Sequence, residues 1–363
     1  MRLLLAGGGT GGHLFPAVAL AQLLLKQDEN AAVQFVGTEH GLEQRLLPKL
    51  GFPLATVDMV GLVGRGWRGK FEVLPKLFKS LGQSYKILRN FKPDLVVGVG
   101  GYASVPVLLM AKLTGIPYLI HEQNAIPGLS NRLLGKGAKL ICLSFSASGS
   151  GFDSNKIIVT GNPLRQGMDS VSADIPQSGK LLIFGGSRGA RAINKAVVEM
   201  LPLLNKWAKK PEILHQTGDV DFLQVQQAYR DAGFDPRQVV PFINDMAAAY
   251  SAASLVICRA GATTLAELTV CGRAAILIPF PHAAADHQTA NAKALKNAGA
   301  AILLSQDELT AERLAVLVKE LLEGRTELEK MAERGRRLGF PGAAERILNE
   351  CRRLLGMPLV KGT

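Results

Sequence analysis

One local pattern occurs twice in this chain and constrains its architecture more than any other feature: an apolar strand, a glycine-rich turn, then the start of a helix. The first copy runs from Leu3-Leu4-Leu5-Ala6 into Gly7-Gly8-Gly9-Thr10-Gly11-Gly12-His13, with helical spacing established near Pro16, a residue suited to a first helical turn. The second runs from Leu181-Leu182-Ile183-Phe184 into Gly185-Gly186-Ser187-Arg188-Gly189-Ala190-Arg191. Such a junction turns free backbone N–H groups and the positive end of a helix dipole toward an anion. Gly7-x-Gly9-x-x-Gly12 also fits a dinucleotide fingerprint, and a tight turn without a ligand reads the same way, so the motif alone leaves these open.

Strand-like runs alternate with helical patterns around both copies. In the first half they fall at Leu3–Ala6, Ala32–Val36, Leu95–Val99, Tyr118–His121, Leu140–Leu143 and Ile157–Val159. In the second they fall at Lys180–Phe184, Glu212–Gln216, Val239–Phe242, Leu255–Cys258, Ala275–Ile278 and Ala301–Leu304. Alternation of this kind builds parallel sheets through right-handed crossovers. The expectation is an α/β chain of two doubly wound parallel-sheet domains, divided near Asn162-Pro163, where proline fixes an extended link. A ligand site is expected in a cleft faced by the carboxyl ends of both sheets.

A length of 363 residues suits two such domains. Cys142, Cys258, Cys271 and Cys351 form no CxxC pair and have no neighbouring His, so no metal site is expected and reduced, buried thiols are. The first apolar run is too short for a signal peptide, and no run approaches the ~18 residues that span a bilayer. The net charge of +12 calls for a polyanionic partner or surface. Between Arg65 and Lys92 eight basic residues (Arg65, Arg68, Lys70, Lys76, Lys79, Lys86, Arg89, Lys92) face Glu72 alone. No RNA-binding aromatic signature or zinc-finger spacing accompanies them, which favours an anionic membrane surface over nucleic acid.

Four further groups carry chemistry. Gly98-Val99-Gly100-Gly101-Tyr102-Ala103-Ser104 is another glycine turn after a strand, and His121-Glu122-Gln123-Asn124 puts four hydrogen-bonding side chains at one sheet edge. Arg259-Ala260-Gly261-Ala262-Thr263-Thr264-Leu265-Ala266-Glu267 is a strand end, a turn and a helix bearing an acid. Pro279-Phe280-Pro281-His282, with Asp286, His287, Gln288 and Asn291, is a polar loop. Each alone fits a capped helix or a polar loop, yet all fall at the carboxyl end of a strand, the functional rim of such sheets.

Taken in order, GGGTGGHLFPA (7–17), GVGGYAS (98–104), HEQNAIPG (121–128), GNPLR (161–165), GGSRGAR (185–191) and CRAGATTLAE (258–267) resemble the MurG family of UDP-N-acetylglucosamine transferases over nearly the whole chain. The resemblance implies the GT-B fold, two Rossmann-like domains, with a last helix at about 342–360 crossing back. The domains are then 1–162 plus 342–363, on the acceptor and membrane side, and 163–341, which binds UDP-GlcNAc. It implies inverting transfer of GlcNAc to the C4 hydroxyl of MurNAc in lipid I, giving lipid II for peptidoglycan, with no cofactor.

By the same resemblance, Thr10, Gly11 and Gly12 border the site, Tyr102 belongs to it, and Asn124 reaches the sugar of the nucleotide. Arg165 approaches that nucleotide, and Ser187 meets its diphosphate beside the following helix dipole. Ile243 contacts uracil through its backbone, Thr263 and Leu265 line the same region, Glu267 accepts from the ribose hydroxyls and Gln288 holds sugar hydroxyls. Two departures stand out: Arg188 replaces a glutamine common in the family, and the alanine-rich His282–Gln288 stretch leaves His282 and His287 without a role. His13 is the candidate base, since imidazole titrates near physiological pH; Glu122 is a rival base or an orienter of its neighbours.

A polyprenyl-linked acceptor requires a membrane, and the resemblance places the protein peripherally on the cytoplasmic face, with cell-wall synthesis and division proteins as partners. Gly61–Lys70 mixes apolar residues, Trp67 and cations in a way that suits an anionic headgroup layer. After it, Leu74, Leu77, Phe78, Leu81, Tyr85 and Leu88 form a helical stripe expected to pack on the sheet, with Lys76, Lys79 and Lys86 facing outward. Three other readings compete: a glycolipid transferase with another acceptor, an NAD-dependent dehydrogenase using Glu39 as ribose partner, and a non-catalytic membrane scaffold.

Overall fold

A computed structural model of the chain describes residues 1–59 and 67–360 and divides it into two compact units, Met1–Arg165 with Gly342–Thr363, and Gln166–Pro341. The N-terminal unit contains strands β1 (Arg2–Gly7), β2 (Ala32–Gly37), β3 (Leu54–Thr56), β4 (Leu95–Gly100), β5 (Tyr118–Glu122), β6 (Leu140–Leu143) and β7 (Ile157–Val159). Its helices are α1 (Gly11–Gln27), α2 (Glu43–Leu46), α3 (Trp67–Phe91), α4 (Ser104–Leu113) and α5 (Leu129–Gly135). The C-terminal unit holds β8 (Leu181–Phe184), β9 (Ile213–Gln216), β10 (Val239–Val240), β11 (Leu255–Cys258), β12 (Ala274–Leu277) and β13 (Ile302–Leu303). Its helices are α6 (Arg191–Leu204), α7 (Phe222–Asp231), α8 (Met246–Ala252), α9 (Ala262–Val270), α10 (His287–Asn297), α11 (Ala311–Glu323) and α12 (Arg325–Arg336); α13 (Ala343–Leu354) belongs to the N-terminal unit.

Both sheets are parallel and doubly wound, in the orders β3-β2-β1-β4-β5-β6-β7 and β10-β9-β8-β11-β12-β13. Strand order reverses between β1 and β4 in one and between β8 and β11 in the other, the places where such sheets open a crevice at their carboxyl ends. The central strands read as unbroken apolar runs because helices cover both of their faces: Leu3, Leu4, Leu5 and Ala6 are fully buried, as are Leu181, Leu182 and Ile183.

Helix α13 packs its Ile347, Leu348 and Cys351 into the core that also holds Leu14, Leu20 and Leu24 of α1. The helix expected to run to about 360 stops at Leu354, and Gly356 then takes a left-handed φ of 64°. The expected membrane-facing stretch Gly61–Lys70 lies outside the described residues except for the first turn of α3, and so does the Leu74 side chain. Later in α3 the stripe is corrected. Leu77 and Leu88 face the core, but so do Ser80 and Ser84, whose hydroxyls donate to the carbonyls of Leu77 and Ser80. Phe78 and Tyr85 are 67% and 45% exposed. Lys76 and Lys79 pair with Asp58 at 3.4 and 2.8 Å, which holds the Lys79 ammonium above its ordinary range.

Candidate active site

In the N-terminal unit the turns after β1 and β4 lie back to back. Gly7 has a φ of +141°, and a Cβ there would sit 2.2 Å from the Gly100 carbonyl oxygen, so only glycine lets the two turns meet. The Gly8 N–H donates to that same oxygen at 3.4 Å. Beneath the first turn lies Glu43, which the sequence reading missed. Its fully buried carboxylate accepts from the Gly9 N–H at 2.8 Å and from the Thr38 N–H and hydroxyl at 2.9 and 3.1 Å. Part of the anion-binding capacity of this turn is thus taken by an internal carboxylate. The available clue was the glycine set around it, since a Cβ at Gly8, Gly37 or Gly41 would strike the Glu43 side chain.

His13 occupies the first turn of α1, its ring against Gly100. Its Nδ1 lies 3.0 Å from Gln123 Oε1; Gln123 Nε2 lies 3.0 Å from the Val99 carbonyl and 3.1 Å from His121 Nδ1. His121 is fully buried, with Nε2 at 3.2 Å from the Gly161 carbonyl, and loss of water pushes its pKa down to about 4. Glu122 is 1% exposed and takes four N–H groups: the Asn124 backbone and side chain, the Gly128 backbone and the Asn131 side chain. Of the two roles considered for Glu122, that geometry fits an orienter of the 122–131 loop. Asn124 is only half-buried, and Thr10, Gly12 and Tyr102 are exposed around the same rim. The Arg165 guanidinium stacks 4.0 Å above the Phe15 ring of α1.

In the C-terminal unit the turn between β8 and α6 exposes Ser187 and Arg188. It is clamped against the turn after β9, where a Cβ on Gly189 would sit 1.8 Å from the Thr217 carbonyl oxygen. Asn194 on α6 donates to that carbonyl at 3.0 Å and to Asp221 at 2.8 Å, while its Oδ1 meets His215 Nε2 at 3.1 Å. Ile243 is buried between β10 and α8. On α9, Thr263 and Glu267 stand one turn apart; Glu267 is 1% exposed and accepts from the Tyr250 hydroxyl at 3.1 Å.

Leu265 lies on the same helix with its side chain fully buried and its N–H donating to the Gly261 carbonyl at 3.0 Å. Gln288 Oε1 accepts from the Phe280 N–H at 2.9 Å, which closes the polar loop. His287 donates from Nδ1 to the Ala284 carbonyl, and His282 lies edge-on to Phe280. Among the described residues no cluster of three His, Cys, Asp or Glu side chains is placed to hold a metal ion.

Two family profiles match the chain: the glycosyltransferase family 28 N-terminal domain over residues 3–142 and the family 28 C-terminal domain over residues 180–347. A relative from Syntrophotalea carbinolica, named UDP-N-acetylglucosamine–N-acetylmuramyl-(pentapeptide) pyrophosphoryl-undecaprenol N-acetylglucosamine transferase, is 57% identical over 98% of this chain and 99% of its own. The chain belongs to the MurG family. A relative of the same name from Syntrophus aciditrophicus is 48% identical over 97% of this chain and 98% of its own. The crystal structure of Acinetobacter baumannii MurG superposes with a TM-score of 0.76 at 36% identity, covering 97% of this chain and 99% of that one. The chain is therefore a glycosyltransferase of GT-B fold, and the dehydrogenase and scaffold readings fall away.

Proposed function

We propose that this MurG-family enzyme transfers GlcNAc from UDP-GlcNAc to the C4 hydroxyl of MurNAc in lipid I, with inversion, forming lipid II for peptidoglycan. The observation that carries the reading is His13 beside the paired glycine turns, its Nδ1 engaged by Gln123 and its other ring nitrogen without a hydrogen bond among the described residues. The acceptor oxygen attacks the anomeric carbon opposite the departing UDP. The new C–O bond forms as the bond to the β-phosphate oxygen breaks, the bonding pair leaves with UDP, and the hydroxyl proton passes to His13 Nε2.

The C-terminal unit holds the nucleotide. Ser187 and the backbone of its turn, with the dipole of α6, stabilise the diphosphate as charge develops on it. Ile243 meets uracil through its main chain, and Thr263 and Glu267 serve the ribose. Gln288, whose oxygen is taken by the loop, donates its NH₂ group to sugar hydroxyls. In the N-terminal unit, Thr10, Gly11, Gly12, Tyr102 and Asn124 border the reacting sugars, and Arg165 reaches toward the nucleotide. The domain of residues 1–162 with 342–363 serves the acceptor and that of 163–341 the nucleotide, while the compact units divide three residues later, between Arg165 and Gln166. No helix among the described residues is long and apolar enough to cross a membrane; we place the enzyme on the cytoplasmic face of the cell membrane, held there by the basic and aromatic surface of α3, near proteins of wall synthesis and division.

The test is UDP release from UDP-GlcNAc with and without a short-chain lipid I analogue. Acceptor-dependent release with the disaccharide seen by mass spectrometry is the expected result; UDP binding without transfer would reopen the acceptor. A general base contributes about 10²–10⁴ in rate, so His13→Ala lowers kcat by that factor and leaves the KM for UDP-GlcNAc nearly unchanged. Loss of nucleotide binding together with turnover would remove His13 from the base role.

A further inference from the structure

Two backbone carbonyls, one at Gln123 and one at His121, leave the His13–Gln123–His121 chain a single proton order. A carbonyl accepts and never donates. Because the Val99 carbonyl lies 3.0 Å from one end of the Gln123 amide, that end is the NH₂ group, and the end 3.0 Å from His13 Nδ1 is the oxygen. The amide oxygen also only accepts, so His13 Nδ1 must carry the hydrogen.

The opposite end gives the same order. His121 Nε2 faces the Gly161 carbonyl at 3.2 Å, with the Ser144 hydroxyl oxygen alongside at 3.3 Å. It therefore donates there, and its bare Nδ1 receives the second N–H of Gln123 at 3.1 Å. Burial keeps His121 neutral at pH 7, with its pKa near 4, so the chain is not reversed by a second proton.

We infer that Gln123 is a positioning residue that holds His13 in the tautomer with its proton on Nδ1, so that the Nε2 lone pair is the one presented to an acceptor hydroxyl. A free histidine side chain in water prefers the opposite tautomer, with Nε2 protonated, which cannot accept a proton at that atom. Which ring nitrogen is bare is set by the hydrogen bond made at the other one, and here that bond is part-buried, its Gln123 partner buried and anchored to the backbone of β4. An amide sets the tautomer without bringing a charge beside the ring. The functional consequence rests on His13 being the base; the tautomer does not, and the two are tested apart.

Full-length enzyme with ¹⁵N-labelled histidine imidazoles reports the tautomer directly, with the His13 signals identified by their absence in His13→Asn. The expected spectrum of the unsubstituted enzyme has a pyrrole-type Nδ1 and a pyridine-type Nε2 at His13. The reverse assignment overturns the inference without any substitution at Gln123. Gln123→Met keeps the chain length and removes both hydrogen-bonding functions. It should move the His13 proton toward Nε2 and lower kcat about tenfold, by no more than His13→Ala does, while the KM for UDP-GlcNAc holds. An unmoved tautomer in folded Gln123→Met also overturns it. If the tautomer moves while kcat is unchanged in both Gln123→Met and His13→Ala, the assignment of Gln123 stands and His13 is not the base.

Discussion

His121 is an imidazole that the N-terminal unit can keep only in its neutral form, and this sets a pH limit on that unit. Its pKa falls from an ordinary value near 6.5 to about 4 in the folded state, because burial disfavours the cation. The unfolded chain therefore binds more protons between those two values, and stability drops as pH falls through the window. It is fully retained above about 6.5 and lost progressively down to about 4. One pKa unit corresponds to about 1.36 kcal/mol, so this residue accounts for a loss of about 3 kcal/mol. His215 in the C-terminal unit, buried against Tyr229 and Asn194 and pushed down to about 3, acts with the same sign there. Hydrogen exchange of the β1, β4 and β5 amides at pH 7, 6 and 5 should show protection falling with pH, with a shallower fall in His121→Gln. Equal slopes in the two proteins would exclude His121 as the source.

At the scale of elements, the turn between β8 and α6 owes its shape to contact with the turn after β9. Gly189 is tested against its neighbour Gly186: both have left-handed φ values, +73° and +90°, but a Cβ strikes the Thr217 carbonyl at 1.8 Å in the first and meets nothing in the second. Gly186→Ala bears only the backbone strain of about 1–2 kcal/mol, whereas Gly189→Ala must also part the two turns. On the proposed reading, titration calorimetry with UDP should show at least a tenfold larger loss of affinity for Gly189→Ala; equal losses would mean that the packed turn does not shape the diphosphate site. The strand–turn–helix copies were legible in the sequence because buried parallel strands leave unbroken apolar runs. The strand β3 was not, since it is a three-residue edge with every residue half-buried. The inward face of α3 was misread because Ser80 and Ser84 bury themselves by bonding their own helix, so apolar spacing pointed to Phe78 and Tyr85 instead. His13 was visible beside its glycines, but Glu43 and the pairing of Gln123 with the Val99 carbonyl depend on strands brought together from distant sequence, which no local spacing records.

For the whole molecule, the proposed membrane attachment raises the question of what would hold a chain of net charge +12 at a lipid surface. The solvent side of α3 combines exposed Phe78 and Tyr85 with exposed Lys86 and Arg89, while Asp58 offsets part of the charge of Lys76 and Lys79. We propose two separable contributions. Each basic residue near an anionic leaflet supplies about 1 kcal/mol, and this part is screened as the Debye length shrinks from about 10 Å at 0.1 M salt to about 3 Å at 1 M. Burial of aromatic surface among headgroups does not depend on salt in that way. Binding to phosphatidylglycerol vesicles should therefore weaken between 0.1 and 1 M salt without vanishing. Lys86→Glu with Arg89→Glu should weaken it mainly at low salt, and Phe78→Ser with Tyr85→Ser by a similar factor at both. Turnover of a water-soluble acceptor should stay unchanged in both pairs, because none of the four residues belongs to the site. Retention that ignores salt would exclude the electrostatic part. Retention unaffected by loss of both aromatic rings would move the docking face elsewhere on the molecule.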